Sequence, residues 1–147
     1  VEQIATNIDD MNPQLFERAT QQLFAAGAYD VWLQSAQMKK GRPGVVLSAL
    51  APRARADAVV AALVAETTTI GVRRWATQRT TLARAIETVP TTLGPVRVKI
   101  VNSPGGVRAR AEFDDCRAVA ERTGKSLPSV MTQVESEVAG WLKTRRQ

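Results

Sequence analysis

The order of hydrophobic patterns in the first 76 residues constrains the fold of this chain more than any other feature. Apolar and alternating stretches predict strands over residues 2–8, 29–36, 45–50 and 70–75. Apolar residues at helical spacing predict two amphipathic helices, which begin near Pro13 and Pro52. The resulting order, β-α-β-β-α-β, is typical of the ferredoxin-like split βαβ motif, here with both helices on one sheet face. The sequence therefore predicts an α+β fold whose residues 1–76 form a ferredoxin-like half.

Single residues mark the ends and faces of these elements. Asn12 is a favourable N-cap for the first helix, and Gly27 is a favourable residue to end it. Alternation also assigns residues to the strand faces that point toward the helices. These residues are Ile4, Thr6 and Ile8 in the first strand, and Tyr29, Val31 and Leu33 in the second.

Residues 77–147 carry a different pattern. Apolar and charged residues alternate over 96–100 and 107–113, which predicts antiparallel strands joined by glycine turns. Two C-terminal helices follow, the first ending at Gly124 and the second beginning after Ser126. The boundary between the two halves is predicted near residues 76–78.

The rarest residue types exclude several classes of site. The chain has no histidine, which excludes His-based triads, zincin motifs and imidazole metal sites. A metal would need oxygen ligands, the single cysteine Cys116, or atoms of a bound ligand. One cysteine allows no internal disulfide, which fits a reducing compartment, so we expect a cytoplasmic protein with Cys116 buried.

The basic charge balance favours anionic partners. The net charge is +6, and basic side chains recur in the second half, at Arg79, Arg84, Arg97, Lys99, Arg108 and Arg110. A basic sheet can bind a nucleic-acid backbone, but only 5% of residues are aromatic and no strand interleaves them. We therefore expect no nucleic-acid partner. No apolar stretch reaches 18 residues, so we expect no membrane partner either.

Two adjacent carboxylates, Asp9 and Asp10, follow the first predicted strand and precede the first helix. Neighbouring strand residues point to opposite faces, so in the simplest arrangement one carboxylate binds a hard divalent cation and the other orients the site. In the alternative interpretation, the pair only stabilises the helix dipole and the turn. The sequence leaves both interpretations open.

Three cations, Lys39, Lys40 and Arg42, surround Gly41 between the second and third strands. Glycine permits the close backbone approach that phosphates favour, while arginine and lysine supply charge. The alternative is a solvated hairpin tip whose charges oppose aggregation. If this bend and the aspartates share one end of the sheet, or meet across subunits, they suit a metal–nucleotide complex.

A third stretch, residues 66–74, combines hydroxyls, a glycine and cations. Thr68 and Thr69 offer hydroxyl groups to phosphate or sugar oxygens, Gly71 permits close approach, and Arg73 adds charge. Threonine runs also favour strands on their own. A purely structural β segment is therefore the alternative.

Four dense motifs stand in order along the chain. They are Asn7-Ile8-Asp9-Asp10-Met11-Asn12-Pro13, Gly27-Ala28-Tyr29-Asp30-Val31-Trp32, Met38-Lys39-Lys40-Gly41-Arg42-Pro43-Gly44 and Glu66-Thr67-Thr68-Thr69-Ile70-Gly71-Val72-Arg73. Together with Glu112-Phe113-Asp114-Asp115-Cys116, they resemble the LarC family of nickel-insertion proteins. The resemblance covers nearly the whole chain but only the C-terminal domain of the family. We therefore expect a piece of a longer protein, with residues 1–147 as its nucleotide-binding domain. Ala111 departs from the family pattern, where proline is frequent.

The resemblance implies an enzymatic role for the full-length protein. Members are CTP-dependent nickel chelatases of the lyase class, which insert nickel into pyridinium-3,5-bisthiocarboxylic acid mononucleotide and release CMP and pyrophosphate. The product is the nickel-pincer cofactor of lactate racemase. Nickel is thus a substrate metal, and the mononucleotide is expected to need the missing N-terminal part. The C-terminal domain is implied to bind CTP with Mn²⁺ or Mg²⁺ and to form homo-oligomers.

The same resemblance suggests roles for individual residues. It implies that Asp9 or Asp10 holds the triphosphate-bound metal. The implied nucleotide-binding residues are Lys39, Lys40, Gly41, Arg42, Thr68, Thr69, Arg73, Arg79 and Lys99. No residue is assigned to the catalytic step. The alternative function is a non-catalytic oligomerisation domain of the same protein, without nucleotide binding.

Overall fold

The computed structural model of this chain describes residues 1–145. The chain forms two compact units, Val1–Arg79 and Thr80–Gln147. The last two residues of the predicted second half lie outside the described residues. Within residues 1–145, no helix combines the length and apolar character needed to cross a membrane.

The first unit is a four-stranded antiparallel sheet with two helices. Its elements, in chain order, are β1 (Glu2–Ile8), α1 (Phe16–Ala25), β2 (Asp30–Gln37), β3 (Pro43–Ala51), α2 (Ala56–Glu66) and β4 (Arg73–Ala76). The strand order is β2-β3-β1-β4, so β3 lies between β1 and β2. The predicted order of elements and the α+β class are confirmed. Because β3 pairs antiparallel with β1, the end of β1 lies beside the beginning of β3.

Local signals explain where α1 begins and ends. The Asn12 side chain accepts a hydrogen bond from the Gln14 backbone N–H at 3.0 Å, and Pro13 opens a single 3₁₀ turn that leads into α1. Gly27 follows the helix with φ of +106°, a conformation that L-residues with side chains rarely adopt. Both predictions from the sequence are confirmed.

The core of the first unit lies between the helices and one face of the sheet. Its fully buried side chains include Ile4, Leu47, Leu23, Val59 and Leu63. Leu33 lies on the predicted helix-facing side of β2, since it pairs with the buried Leu47, but it is 46% exposed, and Tyr29, which precedes β2, is 53% exposed. The physical reason is that β2 is an edge strand, and the helices do not cover it completely.

The second unit is a three-stranded antiparallel sheet followed by two helices. Its elements are β5 (Arg84–Thr91), β6 (Gly94–Ser103), β7 (Gly106–Ala111), α3 (Phe113–Thr123) and α4 (Leu127–Thr144). Its core includes Val96, Val98, Val130, Val134 and Val138. The predicted antiparallel strands and the two C-terminal helices are confirmed.

The first unit ends at Arg79, three residues later than the predicted end of the first half at residue 76. The Thr77 backbone N–H donates to the Val1 carbonyl at 3.0 Å, which continues the pairing of β1 with β4. The Arg79 guanidinium stacks 4.9 Å from the centre of the Tyr29 ring. These contacts keep residues 77–79 with the first unit.

Asp115, in the first turn of α3, ties that helix to β6. Its carboxylate accepts the Arg97 backbone N–H at 2.8 Å and the Arg97 guanidinium at 2.6 Å. The side-chain hydrogen bond from Arg97 lowers the pKa of Asp115 below its ordinary value. A carboxyl group with a lowered pKa in the folded state stabilises the fold above its unfolded pKa. That contribution is lost as the pH falls through the lowered pKa.

Asp115→Asn is expected to destabilise the second unit at neutral pH, because the pair with Arg97 is lost. The effect is limited to about 1 kcal/mol, since the Arg97 side chain is 57% exposed and water screens the pair. As the pH is lowered from about 5 to about 2, the free energy of unfolding of the variant is expected to fall less than that of the unsubstituted chain. Urea unfolding followed by circular dichroism at several pH values measures both effects. Asp114→Asn is the control, because Asp114 forms only a surface pair with Arg117, at 3.2 Å. An unchanged pH dependence in Asp115→Asn would contradict this account.

Candidate functional site

The end of β1 carries the acidic residues that the sequence singles out. In the sheet, Ile8 pairs with Val45, so Asp9 and Asp10 leave β1 beside the bend that precedes β3. Arg42 Nη1 lies 3.5 Å from Asp9 Oδ2. The acidic pair and the cationic bend therefore meet at one end of one sheet, which the sequence had left open. We call this region, formed by Asp9, Asp10 and residues 39–44 and 67–71, the β1 corner.

The bend itself has a tight and unusual backbone. The Met38 N–H donates to the Arg42 carbonyl at 2.8 Å and closes the loop. Lys40 adopts a left-handed conformation with φ of 60°, which costs about 1–3 kcal/mol for a residue with a side chain. Such strain is concentrated at binding sites and turns. Gly41, also left-handed, would meet only the Gln37 side chain, 4.0 Å away, if it carried a Cβ. The outer side of the bend at Gly41 is therefore open to a ligand.

Gly44 has a different role from the one that a phosphate loop suggests. A Cβ at this position would lie 2.9 Å from the Ile8 carbonyl oxygen and would also clash with Met38 Sδ. The glycine is thus needed because the bend packs against the backbone of β1. This close approach holds the cations of the bend near Asp9.

The threonine segment, residues 67–71, completes the β1 corner on the other side of β1. The Thr68 hydroxyl donates to Asp10 Oδ1 at 2.5 Å. Arg73 begins β4 opposite Ala5, and its guanidinium donates to Asn7 Oδ1 at 2.6 Å. Asp10 is thus fixed by a hydroxyl from a segment almost 60 residues further along the chain.

A buried hydroxyl cluster holds the threonine segment on β1. The side chain of Thr6 is 1% exposed, and its hydroxyl lies 2.5 Å from the Thr69 hydroxyl. Both hydroxyls also lie 2.9 Å from the Gly71 carbonyl oxygen, to which they can donate. Thr6 was predicted on the core face of the first strand, with no further role. The signal was present, because a hydroxyl in an apolar stripe needs a buried partner.

Seven of the nine predicted nucleotide-binding residues lie at or beside the β1 corner, together with both aspartates. They are Lys39, Lys40, Gly41, Arg42, Thr68, Thr69 and Arg73. Arg79 stacks on Tyr29, which precedes β2 at the opposite end of the first sheet. Lys99 belongs to the second unit, where its Nζ lies 2.9 Å from Glu112 Oε1. Ligand contacts by these two residues stay predictions.

The donor set at the β1 corner fits a hard divalent cation that also binds phosphates. Among residues 1–145, no three His, Cys, Asp or Glu side chains cluster to form a complete metal site. Asp9 and Asp10 each use one carboxylate oxygen in the contacts described above, which leaves their second oxygens outside these contacts. Mg²⁺ and similar ions are commonly held by one or two carboxylates together with substrate phosphates and water. The two aspartates would hold such an ion, and a bound polyphosphate would supply further oxygens.

Cys116 is poorly placed to bind a metal. Its side chain is 2% exposed, and burial is the main cause that raises the pKa of its thiol. A protonated, buried thiol is a weak ligand and a weak nucleophile. The predicted structural role of Cys116 agrees with this burial.

A cleft of about 590 Å³ opens beside Asp9, between the beginning of α1 and the end of β2. Met11, Phe16 and Val45 form part of its apolar wall, and Ser35 and Gln37 form part of its polar rim. Ser35 and Gln37 were not predicted as site residues. Neither residue stands out in the sequence, because their position at the cleft depends on how incompletely α1 covers the edge strand.

Comparisons with known proteins identify the family. The model of the nickel insertion protein family matches residues 1–131. Relatives described as nickel insertion proteins in Dictyoglomus thermophilum and Geotalea daltonii are 40% and 42% identical over 132 and 138 residues. These alignments cover 90% and 93% of this chain but 34% and 35% of the relatives. The chain thus spans about a third of the length of these relatives.

Two solved structures share the fold. One is LarC2, the C-terminal domain of a cyclometallase involved in the synthesis of the NPN cofactor of lactate racemase, in its apo form. It has a TM-score of 0.86 and 33% identity, over 92% of this chain and 96% of that chain. The other, a protein from Methanopyrus kandleri AV19, has a TM-score of 0.64 and 28% identity, over 92% and 84% of the two chains. From the extent of the family match and the identity of these relatives, we conclude that the chain belongs to the nickel insertion protein family.

Proposed function

We propose that this chain is the CTP- and divalent-metal-binding domain of a nickel insertase. The observation that carries the proposal is the meeting of Asp9 and Asp10 with Arg42 and Thr68 at the β1 corner. A triphosphate needs both cationic side chains and a metal ion to offset its charge. The corner supplies the side chains for both tasks within one unit of the fold.

The cations of the bend have distinct tasks in this proposal. Lys39 and Lys40 contribute mobile positive charges, and Arg42 contributes a planar fork for two phosphate oxygens. The contact of Arg42 with Asp9 is long, at 3.5 Å, and the arginine side chain is 55% exposed. Such exposed pairs contribute only about 0–1 kcal/mol, so Arg42 can turn from Asp9 to a phosphate at little cost. A cation bound at Asp9 would then replace the charge that Arg42 supplied.

Other residues support the site from its edges. Thr68 and Thr69 are proposed to line the phosphate-binding region, with Arg73 beside them on β4. Arg79 lies at the other end of the first sheet and Lys99 belongs to the second unit. We propose that both contribute from another protomer of a homo-oligomer. Sedimentation analysis with and without nucleotide tests the oligomer.

For the full-length protein, we propose insertion of nickel into pyridinium-3,5-bisthiocarboxylic acid mononucleotide, with release of CMP and pyrophosphate from CTP. This makes it a nickel chelatase of the lyase class that completes the nickel-pincer cofactor of lactate racemase. The family membership and the likeness to LarC2 support this assignment. Within it, the residues of the β1 corner bind and orient the triphosphate, and nickel is the substrate metal.

The cysteine content bears on the cellular location. A single cysteine allows no internal disulfide, which fits a reducing compartment, so we propose a cytoplasmic location. We expect neither nucleic acid nor a membrane as partner. The five per cent aromatic content gives no stacking platform for bases of a nucleic-acid strand.

Isothermal titration calorimetry of the chain with CTP tests the proposal. With Mn²⁺ or Mg²⁺ present we expect saturable binding, because the ion links Asp9 and Asp10 to the phosphates. Removal of the ion with EDTA is expected to weaken the affinity by about tenfold or more, equivalent to about 1.4 kcal/mol. Binding that is independent of the metal would contradict the role of the aspartates. No binding under either condition would leave the oligomerisation function as the better description.

A further inference from the structure

The face of the second sheet that points away from α3 and α4 carries a row of two arginines. Ile100 of β6 packs in the core with residues of these helices, so the next residue, Val101, points away from them. Val101 pairs with Arg84 of β5 on one side and with Arg108 of β7 on the other. The register therefore places Val101 between two arginines on the same face. We call these three residues the arginine row.

Carboxylates neutralise the cations next to the arginine row but not those within it. The neighbouring row contains Lys99 and Arg110, which pair with each other across β6 and β7. Lys99 lies 2.9 Å from Glu112, and Arg110 lies 3.0 Å from Glu135. Within residues 1–145, neither arginine of the arginine row forms an ion pair, and both are exposed. The row thus holds two positive charges that the described part of the fold leaves without counter-charges.

The spacing of Arg84 and Arg108 suits one shared anion. Neighbouring strands lie about 4.8 Å apart, so these residues, separated by two strand spacings, have Cα atoms about 10 Å apart. Both side chains are long enough to reach a group that lies above Val101. Like charges on neighbouring positions of a sheet destabilise it, and an anion bound between them removes this repulsion.

A hollow on this face has room for a small oxyanion. Its volume is about 150 Å³, and Lys99, Val101, Arg108 and Arg110 line it. This is the space of about five water molecules at about 30 Å³ each. A guanidinium binds two oxygens of a phosphate or a carboxylate as a planar fork. A phosphate monoester has the oxygens and the charge for two such forks, whereas one carboxylate has enough for one. The arginine row therefore fits phosphate better than carboxylate.

An apolar side chain on the same face lies beside the arginine row. Ile86 is 59% exposed and pairs with Lys99, which makes it a diagonal neighbour of Val101. Together, Ile86 and Val101 offer an apolar contact next to the position of the phosphate. Strands β5, β6 and β7 contain no aromatic residue, so the face has no platform on which the bases of a nucleic-acid strand could stack. These features favour a small molecule over a nucleic-acid strand.

We propose that this face binds a small phosphate monoester, at a site separate from the β1 corner. Arg84 and Arg108 hold the phosphate above Val101, and Ile86 contacts the organic part of the ester. The inference goes beyond the proposed function, because the site belongs to the second unit and needs no CTP at the β1 corner. A mononucleotide, such as the one in the proposed function, is a member of this ligand class, but the site stands without it.

Phenyl phosphate and inorganic phosphate are the two probes, added to the unsubstituted chain with EDTA at about pH 8, where the ester is a dianion. Titration followed by the amide signals in NMR spectra measures both affinities and locates the probe. We expect phenyl phosphate to bind about five- to tenfold more tightly, from contact of its ring with Ile86 and Val101. The amide signals that shift are expected to belong to β5, β6 and β7 rather than to residues 39–44.

Substitutions in the arginine row test which residues hold the phosphate. Arg84→Gln and Arg108→Gln are each expected to weaken phenyl phosphate binding by about tenfold or more, through loss of charge-assisted hydrogen bonds. Arg108→Lys keeps the charge without the fork and is expected to restore only part of the affinity. Arg117→Gln is the matched control, because it removes the same charge from α3, where Arg117 is 59% exposed and pairs with Asp114.

Ile86→Ser tests the apolar contact separately. This variant is expected to bind phenyl phosphate and inorganic phosphate with equal affinity, while its affinity for inorganic phosphate stays unchanged. Circular dichroism verifies the fold of every variant. Equal affinities for the two probes in the unsubstituted chain would overturn the contact of the ester with Ile86.

Other outcomes would overturn the site itself. Unchanged affinity in both Arg84→Gln and Arg108→Gln would do so, as would an equal loss in Arg117→Gln or shifts confined to residues 39–44. A short single-stranded oligonucleotide that shifts the same signals at lower concentration would assign the face to a nucleic-acid backbone. Loss of CTP affinity in Arg108→Gln would assign it to the nucleotide. Failure of CTP to bind the unsubstituted chain would overturn the proposed function and leave this site standing.

Discussion

Replacing Asp9 and Asp10 together by asparagine is expected to reduce the affinity for CTP with Mn²⁺ by at least about 100-fold. Each aspartate supplies a charge-assisted contact to the metal or to its hydrogen-bonding shell, and such contacts contribute about 1.5–3 kcal/mol each. Asparagine has nearly the shape of aspartate but lacks the negative charge that a divalent cation requires. Calorimetric titration with CTP in the presence of Mn²⁺ measures the change.

The two single variants are expected to lose different amounts of CTP affinity. Thr68 donates to one oxygen of Asp10 and so orients its other oxygen, an arrangement that is frequent around metal-binding carboxylates. Asp9 is instead paired with Arg42 over a longer distance. We therefore expect Asp10→Asn to cost more affinity than Asp9→Asn, because Asp10 is held more firmly in one orientation toward the ion.

Asp57→Asn provides the matched control for these variants. Asp57 is a surface carboxylate of the same unit, on α2, and pairs with Arg74 at 2.8 Å with 92% of its side chain exposed. Asp57→Asn removes one negative charge, as each single variant does and half of what the double variant removes, without touching the β1 corner. Retention of CTP affinity in Asp9→Asn/Asp10→Asn, or an equal loss in Asp57→Asn, would show that the aspartates act only through net charge or turn formation.

Much of the first unit could be predicted because its signals are local. The alternation in β1 and the apolar stripes of the helices set the element order, and Asn12 and Gly27 mark the ends of α1. These features depend on neighbours within a few residues. The burial of the second-strand side chains could not be predicted in the same way. Tyr29 and Leu33 alternate as an inward face does, yet they lie exposed on an edge strand.

The assembly of the β1 corner depends on residues that are distant in the chain, so local sequence patterns do not predict it. The residue types at Asp9 and Arg42 indicate metal and phosphate chemistry, but their distance depends on the register that pairs Ile8 with Val45. That register comes from burial of one sheet face, which involves the whole unit. The contact of Thr68 with Asp10 likewise needs the return of the chain after α2. The members of the site were therefore predictable and its assembly was not.

Gly44→Val is expected to have the largest effect on stability among single substitutions in the bend. A Cβ at Gly44 would stand 2.9 Å from the Ile8 carbonyl oxygen, and backbone on both sides must move to relieve this contact. Overpacking of this kind costs about 1–3 kcal/mol, and the branched valine side chain adds to it. For a unit of this size, we expect the Tm of the first unit to fall by about 4–8 °C for each kcal/mol.

The same substitution is expected to weaken nucleotide binding, because the bend can reach Asp9 only while it packs closely on β1. Gly71→Ala is the control within the unit, since a Cβ there meets no atom within 4 Å, and we expect its Tm to change little. Thermal unfolding and CTP calorimetry on both variants test the two effects together. A Gly44→Val variant with unchanged Tm would show that the bend is free to move away from β1. If that variant also kept its affinity, closeness of the bend to Asp9 would not be needed to bind the triphosphate.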